Sequence, residues 1–137
     1  MSLVLDNSVT IAWLTANEKT FEVEKVFEQI GEQGACAPPI WLLEVANVLR
    51  IQEKHAIISR EVRTQHIDRL DKLDIFIDMD SFDYVWNTTV HLADAFNLTI
   101  YDACYIELSL RKLLPLATLD KKMRSAAAAL NIPLLGL

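Results

Sequence analysis

Four carboxylate side chains occupy positions where the chain is otherwise apolar or where an apolar run ends. Asp6 follows the apolar residues 3–5, and Asp120 follows the run in "LATLD". Glu44 and Asp102 lie inside "IWLLEVANVL" and "LTIYDACYI", where a lone charged carboxylate would be costly to bury. Carboxylate oxygens suit hard divalent ions such as Mg²⁺ or Mn²⁺. Carboxylates that hold such ions support phosphodiester hydrolysis, because the metal lowers the pKa of bound water and stabilises charge on the phosphate.

Each of these acids also has an ordinary structural explanation. Asp6 and Asp120 stand where predicted strands give way to predicted helices, and aspartate is a common N-cap residue there. Glu44 and Asp102 fall in the first turns of predicted helices, where a negative charge complements the helix dipole. Taken singly, none of the four distinguishes capping from chemistry, so their joint position has to decide.

Short apolar runs alternate along the chain with stretches of helical periodicity. The apolar runs predict strands over residues 3–5, 35–37, 75–77, 114–118 and 133–135. The periodic stretches predict helices over residues 8–14, 22–33, 41–54, 60–73, 82–96, 101–112 and 121–130. Strands joined through helices imply right-handed crossovers and a parallel sheet. We therefore expect an α/β fold, a three-layer α/β/α sandwich with about five short strands, built by residues 1–137 as one domain.

The predicted sheet gives a reason to consider the four acids together. Ligands of parallel sheets bind outside the carboxyl ends of the strands, and Asp6 and Asp120 directly follow the first and the fourth strand. Glu44 lies early in the helix after the second strand, and Asp102 lies in the first turn of the helix that leads into the fourth. We expect all four on one rim of the sheet, where they would repel one another unless a cation neutralised them.

Four segments, in order along nearly the whole chain, resemble the PIN-domain family, in particular the VapC-type toxins of bacterial and archaeal toxin–antitoxin pairs. The segments are "LVLDNSV", "PPIWLLEVANVL", "LTIYDACYIELSLRKLLPLATLDKKM" and "NIPLLGL". The resemblance implies an α/β/α fold and a ribonuclease that depends on Mg²⁺ or Mn²⁺. It places the family's catalytic and metal-binding acids at Asp6, Glu44, Asp102 and Asp120, and its accompanying polar positions at Ser8, Asn47 and Thr118.

We expect the four acids to have different roles. Asp6 and Asp102 would ligate the metal most directly, while Asp120 would lie close by or act through water. Glu44 would either bind a second ion or orient the attacking water.

The polar positions have two interpretations each. Ser8 and Thr118 are candidates for donors that fix the orientation of a carboxylate, and ordinary capping explains them equally well. Asn47 either bonds to a carboxylate oxygen or caps a local turn.

The favoured function is an endoribonuclease that acts as a toxin and is restrained by an antitoxin protein. A housekeeping RNA-processing nuclease of the same fold and a non-catalytic RNA- or protein-binding module stay open as alternatives. Lys121, Lys122 and Arg124 follow Asp120 and are candidates for contacts with RNA phosphates, although a solvated helix face explains them too. The resemblance also implies a homodimer and an antitoxin whose C-terminal segment covers the acidic cleft.

Composition narrows the class of protein further. The formal net charge of −6 argues against nucleic-acid binding by bulk charge. No apolar stretch reaches the roughly 18 residues of a membrane span, and no basic segment with a long apolar run opens the chain, so we expect a cytoplasmic protein. Cys36 and Cys104 are then expected to be buried free thiols. The three histidines and the cysteines lack zinc-ligand spacing.

Two other acidic features are set aside from the site. Glu107 lies on the helix of Asp102, but its spacing turns it to a different face. Asp78, Asp80 and Asp83 follow the third strand without the threonine and glycine that an Asp-x-Asp phosphatase site uses. We interpret that segment as a helix start capped by Ser81.

Overall fold

A parallel sheet of five short strands lies at the centre of the molecule. The structure is a computed structural model that describes all residues from 1 to 137. The strands are Val4–Leu5 (β1), Ala35–Ala37 (β2), Ile75–Ile77 (β3), Leu116–Ala117 (β4) and Leu134–Leu135 (β5), arranged in the order β3-β2-β1-β4-β5. Val4 lies beside Cys36 on one side and Leu116 on the other. β1 is therefore the middle strand.

Seven α-helices cover the two faces of the sheet. They are Asn7–Leu14 (α1), Phe21–Gln33 (α2), Ile40–Lys54 (α3), Arg60–Asp71 (α4), Val90–Phe96 (α5), Ile100–Lys112 (α6) and Lys121–Ala129 (α7). α1 packs against α2 and α3, and α3 packs against α4, whereas α6 packs against α5 and α7. The chain moves outward from β1 to β3 through the first group and then returns to β4 and β5 through the second. Right-handed crossovers put these groups on opposite faces, which confirms the predicted three-layer sandwich.

Apolar burial and helix caps explain most element boundaries. β1 and β2 are buried throughout, as expected for parallel strands covered on both faces. The Ser59 hydroxyl accepts a hydrogen bond from the Val62 backbone N–H at the start of α4, and Thr99 does the same for Asp102 in α6. Gly34 ends α2 with φ 72°, and a Cβ there would lie 2.7 Å from Asp74 Oδ2. Only glycine fits this position without strain.

The predicted helix over residues 82–96 with a Ser81 cap is wrong in its first half. A 3₁₀ helix over Met79–Tyr84 and a π turn over Val85–Thr89 precede α5. The Ser81 hydroxyl donates to Asp78 Oδ2 instead of accepting from a backbone N–H, so it does not cap an α-helix. Only the predicted end of that helix is confirmed, where Asn97 adopts the left-handed conformation with φ 52°.

β1, β4 and β5 are shorter than the predicted strands over residues 3–5, 114–118 and 133–135. Leu113 is left-handed with φ 57°, and the Leu114 N–H still bonds to the Ser109 carbonyl of α6. Leu113 and Leu114 therefore close α6, and β4 begins only after them.

Two further expectations concern the cysteines and the membrane. Cys36 and Cys104 are buried and carry free thiols. Burial raises the pKa of each thiol to about 11, so both are inert at neutral pH. None of the helices combines the length and the apolar character needed to span a bilayer.

Candidate metal centre

The strand order reverses between β1 and β4, and two of the four acids follow these two strands. Leu5 pairs with Ala117, so both strands end at the same level of the sheet. Asp6 is the next residue after β1 and the N-cap residue of α1, and Asp120 is the N-cap residue of α7. The carboxyl edge at such a switch point is where open parallel sheets bind ligands.

Asp6 is buried and is held by two hydroxyl groups. It is 5% exposed, and although it is the N-cap residue of α1, its side chain makes no capping hydrogen bond to the first turn. The Ser8 and Thr118 hydroxyls both donate to Oδ2, at 2.6 and 2.8 Å. Burial raises the pKa of the Asp6 carboxyl group, and these hydrogen bonds oppose the rise. Because both hydroxyls use one oxygen, neither occupies Oδ1.

The same hydroxyls connect the ends of β1 and β4. Ser8 Oγ accepts from the Leu119 backbone N–H at 2.9 Å, and Thr118 Oγ1 accepts from that of Asp120 at 3.1 Å. Asp120 is exposed, and its Oδ1 caps α7 through the Met123 N–H. The capping explanation is therefore correct for one oxygen of Asp120, while its Oδ2 makes no hydrogen bond.

Glu44 and Asp102 come from α3 and α6, on opposite faces of the sheet. Glu44 Oε1 accepts a hydrogen bond of 2.6 Å from the Tyr105 hydroxyl, and Tyr105 is fully buried. Tyr105 lies one turn after Asp102 on α6, so the bond ties α3 to the helix that carries Asp102. Tyr105 was not among the residues predicted for the site, because a tyrosine in an apolar helical stretch is typical of a core position.

The four acids, which we call the rim acids, interact electrostatically with one another. Burial is the largest cause that raises the pKa of Glu44, and the negative charges of Asp6 and Asp102 add to it, against the Tyr105 hydrogen bond. Burial also raises the pKa of Asp102, as do the charges of Asp120 and Asp6. None of the rim acids takes part in an ion pair within the chain. The charge of Lys122 lowers the pKa of Asp102 against these effects, but no ion pair neutralises the negative charge at this rim.

This arrangement fits a hydrated divalent cation. No three acidic, histidine or cysteine side chains converge closely enough to form the ligand set of one ion. Mg²⁺ does not require such a set, since it keeps several waters and is commonly bound through one or two carboxylates. The unneutralised rim acids supply oxygen donors of the right kind, and Asp6 Oδ1 and Asp120 Oδ2 are not used by the hydrogen bonds described above.

The other predicted site residues divide into two kinds. Lys121 and Lys122 are exposed in the first turn of α7, next to Asp120. Arg124 instead donates through Nη1 to the carbonyl oxygens of Thr118 and Leu135, at 2.6 and 3.1 Å, and so joins the ends of β4 and β5. Asn47 is exposed, and its side chain bonds to no rim acid.

A second acidic group lies apart from the rim, and we call it the Arg111 cluster: Asp78, Ser81, Glu107 and Arg111. The Arg111 guanidinium bonds to Glu107 Oε2 at 2.8 Å and also to Asp78 Oδ2. Burial alone would raise the pKa of Asp78, but hydrogen bonds from Arg111 and Ser81 outweigh it, so this pKa lies below its usual value. This cluster was not predicted from the sequence, although the i, i+4 spacing of Glu107 and Arg111 on one predicted helix is a signal for their ion pair.

Comparison with known proteins gives the family. The sequence matches the PIN domain over residues 3–129. The structure is similar to PAE2754 from Pyrobaculum aerophilum, with a TM-score of 0.67 and 16% identity over 92% of this chain and 86% of that one. It is also similar to VapBC2 from Rickettsia felis, solved bound to a DNA fragment from their promoter, with a TM-score of 0.67 and 14% identity over 98% of this chain and 97% of that one.

No curated protein matches the sequence. Since the family match covers nearly the whole chain, the protein belongs to the PIN domain family, whose members are in general nucleases.

Proposed function

We propose that the protein is an endoribonuclease that depends on Mg²⁺ or Mn²⁺ and hydrolyses RNA phosphodiester bonds. The observation that carries the proposal is the position of four acids around the switch point of the sheet, where neighbouring negative charges raise the pKa values of Glu44 and Asp102 and none of the four forms an ion pair. A purely structural set of acids has no reason to be assembled at such a cost in repulsion. A PIN fold supports the same conclusion.

The residues have distinct proposed roles. A divalent ion held by these residues would supply hydroxide from water and would stabilise the charge that develops on the phosphate. Asp6 and Asp102 offer the direct ligands, and Asp120 contributes through its Oδ2 or through water. Glu44 orients the attacking water or holds a second ion. Ser8 and Thr118 keep the Asp6 carboxylate in one orientation by occupying its Oδ2.

RNA contacts are proposed for the exposed start of α7. Lys121 and Lys122 form no ion pair in the chain and lie beside Asp120. A lysine there would meet a phosphate as a point charge. Arg124 has a different proposed role, because its Nη1 donates to two backbone carbonyls. Arg124 would hold the end of β4 against the end of β5, close to Asp120.

We further propose that the nuclease is the toxin of a toxin–antitoxin pair, works in the cytoplasm and forms a homodimer. The similarity to VapBC2 of Rickettsia felis supports a protein partner of the antitoxin kind. The groove of about 230 Å³ between α3, α4 and β3, which includes Trp41, Leu42 and Ile67, supplies apolar surface for such a partner.

RNA cleavage in the presence of Mn²⁺ tests the catalytic proposal. Asp6→Asn removes one rim acid, and Asp80→Asn is the matched control because Asp80 is exposed and forms no ion pair. We expect the wild type and Asp80→Asn to cut RNA at equal rates, and Asp6→Asn to be inactive. A wild-type protein that neither binds Mn²⁺ nor cuts any RNA would exclude the nuclease and leave a non-catalytic binding module.

Overproduction in cells tests the toxin proposal separately. We expect growth arrest that requires Asp102 and is relieved when the neighbouring antitoxin gene is expressed together with the nuclease. An active nuclease that causes no arrest in its native host would favour a housekeeping role in RNA processing.

A further inference from the structure

The Tyr105 hydroxyl makes one hydrogen bond, and its partner is a rim acid. Tyr105 lies on α6, is fully buried, and donates to Glu44 Oε1 at 2.6 Å. This length is typical of a hydroxyl that donates to a charged carboxylate, which is the stronger class of hydrogen bond. A charged Glu44, the form in which a carboxylate binds a metal ion, gains most from such a donor.

The bond also sets where Glu44 stands relative to Asp102. Tyr105 follows Asp102 by one helical turn on α6, whereas Glu44 belongs to α3. Since the tyrosine is locked in the core, Glu44 Oε1 is tied to the helix that carries Asp102. Glu44 Oε2 makes no hydrogen bond in the chain. In Asp6, too, one carboxylate oxygen takes the side-chain hydrogen bonds, because the Ser8 and Thr118 hydroxyls both donate to Oδ2.

We infer that Tyr105 is a positioning residue of the metal centre, which holds Oε1 of Glu44 and leaves Oε2 for the metal ion or its bound water. The inference rests on the proposed function and deepens it. Without this donor, Glu44 would keep its negative neighbours Asp6 and Asp102 and lose its only hydrogen-bond donor. Repulsion would then favour rotamers that turn the carboxylate towards solvent, away from the ion.

The effect of Tyr105→Phe on Mn²⁺ affinity tests the inference without relying on activity. The substitution removes one oxygen and keeps the ring that packs in the core. Losing a partner of a metal ligand weakens metal binding by about 10-fold or more, and we expect that loss in the dissociation constant measured by calorimetry. Tyr84→Phe is the matched control, because the Tyr84 hydroxyl makes no hydrogen bond and its ring stays over Arg111.

The Glu44→Gln background separates positioning from a general effect on the fold. If Tyr105 acts through the Glu44 carboxylate, Tyr105→Phe should change Mn²⁺ affinity by less than about 2-fold once Glu44 is glutamine. An equal loss in both backgrounds would show that the tyrosine acts through the fold, and would overturn the inference. Wild type and Tyr105→Phe binding Mn²⁺ equally would also overturn it, with the proposed function intact. A wild type that binds no Mn²⁺ would overturn both.

A measurement on the unaltered chain covers the case in which Tyr105→Phe does not fold. A buried hydroxyl proton held by a carboxylate exchanges slowly and gives its own proton NMR signal. We expect the Tyr105 signal to shift when Mg²⁺ saturates the protein, because its acceptor then shares charge with the ion. A signal that stays in place at saturation would contradict the inference.

Discussion

The rim acids and the Arg111 cluster are two groups of acids that the fold treats in opposite ways. In the Arg111 cluster, a guanidinium bonds to both Asp78 and Glu107, and the pKa of Asp78 is lowered against the effect of burial. At the rim, no arginine or lysine forms an ion pair, and the pKa values of Asp6, Glu44 and Asp102 are raised, first by burial. The chain pairs the acids of the Arg111 cluster with a cation of its own and forms no ion pair with the rim acids.

Removing the cation from the Arg111 cluster should have the largest effect on the molecule. Arg111→Met leaves Asp78 and Glu107 buried without a positive partner, which costs about 3–5 kcal/mol of unfolding free energy. Urea denaturation measures this cost. Arg50→Met serves as the matched control, because Arg50 is exposed and forms no ion pair. A loss below about 1 kcal/mol would mean that the cluster does not depend on its arginine.

Removing one rim acid should leave folding intact and stop the chemistry. Asp102→Asn is expected to lower the rate of Mn²⁺-dependent RNA cleavage by more than about 100-fold, since even the partners of metal ligands cost about 10- to 100-fold. Its unfolding free energy without metal should equal or exceed that of the wild type, because repulsion from Asp6 and Asp120 is relieved. A variant that is active but unfolds more easily would reverse the roles assigned to the two groups.

Adding a divalent cation should stabilise the wild-type fold. Mn²⁺ at about 100 times its dissociation constant contributes about 2.7 kcal/mol of stability through mass action. We expect a rise in Tm for the wild type and for Glu107→Gln, whose change lies in the Arg111 cluster, and little or no rise for Asp6→Asn. Differential scanning calorimetry with and without chelator makes the comparison, and equal shifts in all three proteins would place the ion elsewhere.

The smallest expected effect is the pH dependence, which should have opposite signs in the two groups. Asp102 has a pKa above its usual 3.8 in the folded state, so its charge destabilises the fold at neutral pH. Asp102→Asn should then be more stable than the wild type at pH 7, and this gain should shrink as pH falls through the raised pKa.

The pKa of Asp78 lies below 3.8 in the folded state, so its charge stabilises the fold. That contribution is fully present above the unfolded value and is lost as pH falls through the lowered pKa. Asp78→Asn should therefore be less stable than the wild type at pH 7, and the difference should shrink only at more acidic pH. Comparing the Tm of each variant with that of the wild type at the same pH cancels the pH-dependent contributions of other groups, such as His66, whose pKa is lowered by burial. Two differences of the same sign would contradict the contrast.

The sequence was sufficient to predict a parallel sheet of five short strands, and that Asp6 and Asp120 follow β1 and β4. β2 and β3 match their predicted bounds, because each apolar run is enclosed by residues that stop a strand, such as Gly34 and Pro38. The sequence predicted that the strands are parallel but did not predict their order in the sheet. Right-handed crossovers fix the handedness of each connection and do not determine which strand returns beside β1.

What the sequence could not supply are contacts that form between distant segments. The helix predicted over residues 82–96 begins as a 3₁₀ helix, in a segment where Arg111 binds Asp78 and Ser81 also donates to it. From the sequence, Arg124 was predicted to be an exposed basic residue. Its hydrogen-bond acceptors are backbone carbonyl groups, and the residue types in the sequence do not indicate such contacts. The sequence predicts that Tyr105 is a core residue, which is correct, but it does not predict that the Tyr105 hydroxyl donates a hydrogen bond to Glu44.

The Mn²⁺ binding isotherm of the wild type, Asp6→Asn and Asp80→Asn tests the central claim most directly, because it asks whether the rim acids hold a cation. We expect saturable binding by the wild type and by Asp80→Asn with the same dissociation constant, and binding by Asp6→Asn that is weaker by more than about 100-fold. Three identical isotherms, or no binding by the wild type, would contradict the claim.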